Sequence, residues 1–126
     1  MRNQNEIVKN IFELIDLAEQ HMRNYNLIEY EKCVLEAVTI SRKFYKGVTD
    51  DLERAYIEAL NKASNCYINL GDDDIDKNKS LEDYNKSIEF LKEALDLIKD
   101  KNEFYIGFYE NIKKALAAVD ERINNL

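Results

Sequence analysis

The chain predicts an all-α fold of five antiparallel helices, and three observations carry that expectation. There is no proline and there are only three glycines in 126 residues. Proline breaks a helix interior and glycine weakens it, so this composition favours long helices. Apolar residues recur at spacings of three and four along five separate stretches, the period that gives a helix one buried stripe. Turn-forming residues separate the first four stretches, at Asn24-Tyr25-Asn26, Gly47, and Gly71 with the aspartates after it, and the fourth stretch runs to about Asp100. Eight tyrosines and five phenylalanines supply apolar surface to bury, which argues against disorder.

The first helix is expected from about Asn5 to Asn24, with Ile7, Ile11, Leu14, Ala18 and Met22 as its stripe. Asn24-Tyr25-Asn26 ends it, because asparagine tolerates left-handed backbone and bonds locally. The second spans about Leu27 to Lys46 through Leu27, Tyr30, Val34, Ala37, Ser41 and Phe44, and Gly47 suits the position after its C-cap. Thr49 or Asp50 then caps the third helix, and Asp50 with Glu53 resembles a capping box. That helix runs to Leu70 on a broad apolar face, from Leu52 and Ala55 to Tyr67, and Gly71 is expected to end it. Ser80-Leu81-Glu82-Asp83 reads as the cap of the fourth helix, whose Leu81, Tyr84, Ile88, Leu91, Leu95 and Ile98 alternate strictly at three and four. The fifth covers about Glu103 to Asn124 through Phe104, Phe108, Ile112, Ala115, Val119 and Ile123.

A chain of this length is expected to form a single domain over residues 1–126. Short connections make consecutive helices antiparallel neighbours, either as stacked hairpins or as a closed bundle. The formal charge of −7 and the lack of a dense basic cluster point away from nucleic acid, because a phosphate backbone selects basic faces. No run of apolar residues approaches the length of a membrane span, so no membrane partner is expected. Cys33 and Cys66 fall among apolar helical positions, where a reduced cysteine acts as a small hydrophobe. With a polar start and no signal peptide, a cytoplasmic location is the default expectation.

The third and fourth helices resemble a tetratricopeptide repeat, a helix-turn-helix unit of about 34 residues. The residues that carry the likeness are Leu60, Ala63, Ser64, Tyr67, Gly71 and Asp72, then Tyr84, Ser87, Ile88, Leu91, Ala94 and Leu95. Ser64, Ser87 and Ala94 stand at the family's small-residue positions, where a large side chain would hold the helices apart. Leu14, Leu17, Ala18, Val34, Ala37 and Val38 match the pattern in the first pair, while Tyr30 departs from the family's alanine. The resemblance implies stacked helical hairpins, about two units with an insertion in the second, and a fifth helix as cap.

It further implies a protein-interaction scaffold. The groove of such a stack would be lined by the first, third and fifth helices and would hold a partner peptide or helix. Asn61, Asn65 and Asn69 recur every four residues on the third helix, flanked by Glu58 and Ile68. Asparagine both donates and accepts, so it can pair with the main chain of an extended peptide whatever its side chains. Ile68 would add apolar contact.

Two further readings come from the residues. Asp74, Asp76 and Asn78 alternate like calcium ligands within the Asp72–Asp83 loop. Against that stand Lys79, where such a loop needs glycine, and Asn85, where it needs a bidentate glutamate. The main expectation is therefore a solvated acidic loop, with no metal and no cofactor. Tyr105, Phe108 and Tyr109 cluster at the start of the last helix, where they are expected to be core with snorkelling tyrosines; the alternative is an exposed docking patch for a further helix, from a second copy of the chain or from a partner. His21 is the only histidine, and no nucleophile or ligand set stands at a spacing that would make it catalytic, so no enzyme activity is expected.

Overall fold

The computed structural model describes residues 3–101 and 103–126. Five helices follow in order: α1 (Gln4–Arg23), α2 (Leu27–Phe44), α3 (Asp51–Asp73), α4 (Lys77–Ile98) and α5 (Ile106–Asn124). No strand occurs among the described residues. The all-α expectation and the number of helices hold, and α1 packs on α2 and α4 on α5 as hairpins. Internal contacts gather into two compact units, Met1–Ala63 and Ser64–Leu126, and α3 contributes to both.

In the first unit the buried residues of α1 are Ile7, Ile11, Ile15 and Ala18. Those of α2 are Tyr30, Cys33, Val34, Ala37, Val38 and Ser41. The three-four spacing put these side chains on one stripe of each helix. Fully burying one aliphatic side chain contributes about 1.5–3 kcal/mol. Tyr30, the departure from the repeat pattern, is buried at 2 % exposure. Asn3 caps α1, its side-chain oxygen accepting from the Glu6 amide at 2.9 Å. At the other end the Tyr25 amide donates to the Met22 carbonyl and the Asn26 amide to that of His21. This pair of bonds is a Schellman motif, and it places Tyr25, rather than either asparagine, in the left-handed region at φ 59°.

The α2–α3 connection departs from the expected boundaries. α2 stops at Phe44, and Gly47, with φ 78°, belongs to the linking loop rather than to the helix end. Asp50 caps α3 as expected: its Oδ1 accepts from the amides of Leu52 and Glu53 at 3.0 and 3.1 Å. Glu53 is fully buried, and its carboxylate accepts a 2.5 Å hydrogen bond from the Tyr45 hydroxyl. Burial first, then that carboxylate, pushes the Tyr45 phenol well above its ordinary range.

In the second unit Gly71 does not end α3. The helix continues to Asp73, and Gly71 is buried where the ring of Tyr84 from α4 closes over it. A Cβ there would meet Tyr84 Cε1 at 2.6 Å. The glycine is needed for close approach, not for a turn. The small-residue positions behave in the same way: Ser64, Ser87 and Ala94 are fully buried, and Ser64 Oγ lies 2.8 Å from Ser87 Oγ.

α4 begins one turn earlier than expected, capped by Asp76, whose Oδ1 accepts from the Asn78 amide at 2.9 Å. Ser80 is buried inside the helix and donates at 2.8 Å to the Gly71 carbonyl, satisfying a group that the end of α3 would otherwise leave unpaired. Asp72 accepts from the Tyr84 hydroxyl at 2.5 Å and from Arg122 Nε of α5 at 2.9 Å. Regular helix in α5 starts at Ile106, three residues later than Glu103, after a turn in which the amides of Phe104 and Tyr105 bond to the Lys101 carbonyl.

Candidate functional site on the outer strip of α3

α3 is the helix with the widest buried face. At about 100° per residue, its buried side chains from Leu52 to Gly71 cover roughly 200° of the circumference. The side chains left open or half-open fall on the remaining strip. Glu58, Asn61, Asn65, Ile68 and Asn69 lie within about 100° of one another there. The sequence therefore placed all five on one face of a single continuous helix. Asn65 is exposed; Glu58, Asn61, Ile68 and Asn69 are half-buried.

Among the described residues no intramolecular hydrogen bond engages the side chain of Asn61 or Asn65, whereas Asn69 is engaged within the fold. The centre of the strip thus carries two amides with open donors and acceptors, one aliphatic side chain and no formal charge. Its ends are charged: Arg54, Glu58 and Lys62 toward the N-terminus, Asp72 toward the C-terminus. The Lys62 ammonium forms an ion pair with Glu19 of α1, and that bond holds the Glu19 carboxyl below the ordinary carboxylate range. Burial raises the Glu58 carboxyl, against the opposing pull of Lys62 and Arg54. Lys62 and Glu19 were not singled out from the sequence. Lys62 follows Glu58 at four residues, which puts both on one face, but its pairing with α1 has no local signal.

The acidic loop is shorter than its composition suggests. Only residues 74–76 separate α3 from α4. Asp74 Oδ1 accepts from the Asp76 amide at 3.1 Å, Asp76 caps α4, and Asn78 lies in the first turn of that helix. Among the described residues no three His, Cys, Asp or Glu side chains converge as a metal-binding group. Cys33 and Cys66 are both buried free thiols. His21 Nδ1 lies 3.5 Å from the side-chain Nδ2 of Asn26. Among the described residues no helix is long and apolar enough to cross a membrane.

The aromatic cluster at the start of α5 divides. Tyr105 is buried, with Phe104 and Phe108 edge-on to it at ring-centroid distances of 4.9 and 5.9 Å. Phe104 and Ile106 point outward at 63 % and 64 % exposure. Comparison with protein-family models, curated proteins and solved structures finds no match.

Proposed function

We propose that the chain is a protein-interaction scaffold, similar in plan to a tetratricopeptide repeat, that displays the α3 strip to a partner peptide or helix in the cytoplasm. The observation that supports this most is the pair Asn61 and Asn65, whose side-chain amides have no intramolecular hydrogen bond among the described residues, on a helix buried along most of its circumference. An amide side chain held on a rigid helix can bond a peptide main chain with little ordering cost. Ile68 supplies apolar contact beside them.

Replacing Asn61, Asn65 and Asn69 together by alanine tests the reading. Each hydrogen bond contributes about 1 kcal/mol net, so a partner captured by photo-crosslinking next to Asn65 should bind roughly 10- to 100-fold more weakly. Helicity by circular dichroism should be retained, because alanine is the better helix former. Unchanged affinity for that partner would remove the strip from the binding surface.

A second reading rests on Phe104 and Ile106, whose exposure beside a buried tyrosine suits contact with a second copy of the chain. It requires a solution mass that rises with concentration and falls to the monomer in Phe104→Ser/Ile106→Ser.

A further inference from the structure

A pocket of about 640 Å³ opens in the first unit, between the start of α1 and the loop that joins α2 to α3. Its volume lies in the range of small-molecule sites. Ile7, Phe44, Val48 and Leu52 wall it; Ile7 and Leu52 are core residues, while Val48 stands at the mouth with 56 % exposure. The same loop carries Gly47 in the left-handed region, which turns the chain so that Lys46 and Val48 both line the pocket.

The polar side chains decide what could enter. Among the described residues, Gln4, Asp50 and Lys46 are the polar side chains that line the pocket. Gln4 donates to Asp50 Oδ2 at 2.9 Å, and Asp50 Oδ1 is already held by the Leu52 and Glu53 amides. The acid of the pocket is thus committed on both oxygens. Lys46 is exposed, and among the described residues its ammonium has no ion-pair or hydrogen-bond partner. The Lys43 ammonium lies 5.3 Å from the centroid of the Phe44 ring, a second cation at this end of α2. Asp50 keeps its negative charge, so among the described residues the lining carries one charge of each sign; of the two, Lys46 is the one whose hydrogen-bonding capacity is uncommitted, and it stands beside an apolar cavity.

We propose that this pocket binds a small amphipathic anion, an aliphatic chain ending in one carboxylate, with the chain against Ile7, Phe44 and Leu52 and the carboxylate at Lys46. The site is independent of the α3 strip and uses none of its residues. Decanoate titrated into the isotope-labelled full chain should shift the amides of residues 44–52 and of Ile7 saturably. Lys46→Gln should weaken decanoate about fivefold, the upper range for an exposed ion pair, and Val48→Glu should weaken it by at least as much. Uncharged 1-decanol should bind the native chain more weakly than decanoate and should not respond to Lys46→Gln. Both substituted residues are exposed, so melting temperatures should match the native chain and make a loss of binding interpretable. The assignment is overturned if decanoate shows no saturable shifts, if the shifts centre elsewhere, if Lys46→Gln binds decanoate as tightly as the native chain, or if 1-decanol binds as tightly as decanoate.

Discussion

Gly71→Ala separates two physical roles for the same glycine. At a helix C-terminus alanine would be strained by left-handed backbone. Inside α3 the cost has another source: the new Cβ would stand 2.6 and 2.8 Å from Cε1 and Cδ1 of Tyr84. That ring cannot move aside freely. It is 5 % exposed, and its hydroxyl is tied to Asp72 at 2.5 Å. Overpacking of this kind costs about 1–3 kcal/mol. Alanine recovers about 0.5–1 kcal/mol through helix propensity and a less flexible unfolded chain. The net expectation is a loss of up to about 2.5 kcal/mol, with a central value of about 1 kcal/mol. With an unfolding entropy of about 2.1 cal/mol/K per residue, the central value lowers the melting temperature by roughly 4 °C. Thermal and urea denaturation followed at 222 nm would measure it. In a Tyr84→Ala background the same substitution should become neutral or slightly stabilising, as should Gly107→Ala, where nothing lies within 4 Å of the added methyl. A penalty that persists without the tyrosine ring, or no penalty in the native background, would refute the close-approach argument.

Two further outcomes follow from buried polar groups. Burial, reinforced by Asp72, pushes the Tyr84 phenol from 10.0 up to about 12. The native state therefore favours its protonated form; this stabilisation is complete below pH 10 and is lost as pH rises toward 12. Urea midpoints between pH 9 and 12 should fall less steeply in Tyr84→Phe than in the native chain, with Tyr45 supplying the remaining slope, and equal slopes would contradict it. Ser64→Ala or Ser87→Ala alone leaves a buried hydroxyl without its partner at 2.8 Å and should cost about 1–3 kcal/mol. The double variant should cost clearly less than the two together, and additive losses in urea titrations would show that the hydroxyls are not coupled.

The helices were legible because their apolar period is strong, but their ends were not. Ser80 has the chemistry of a cap, yet Asp76 one turn earlier caps α4, since the hydroxyl of Ser80 is drawn inward to the Gly71 carbonyl. Gly71 has the chemistry of a terminator, yet its missing side chain serves Tyr84, thirteen residues further on. In both places a contact from another helix decides, not the local residue type. The asparagine row was legible for the opposite reason, because a shared helix face depends on spacing alone. The pocket beside Lys46 had no signal in the sequence, since it depends on how the loop after Phe44 returns to α1.

α3 shows how far spacing can be taken. Its polar and small residues divide into two sets with similar chemistry and opposite fates. Glu53, Ser64 and Gly71 fall within about 20° of one another on the helix, and all three are buried. Asn61, Asn65 and Asn69 fan over about 80° on a strip whose nearest edge is about 60° away, and none is fully buried. Residue type alone would have placed a glutamate outside and treated serine and asparagine alike. Angle separates them, because a buried polar group survives only where a neighbour supplies its partner, as Tyr45 does for Glu53 and Ser87 for Ser64. Outside that line the provision is uneven: Glu19 pairs with Lys62, Tyr84 and Arg122 bond Asp72, and Asn69 is engaged within the fold. Among the described residues the side chains of Asn61 and Asn65 have no intramolecular partner, so they keep hydrogen-bonding capacity for another molecule.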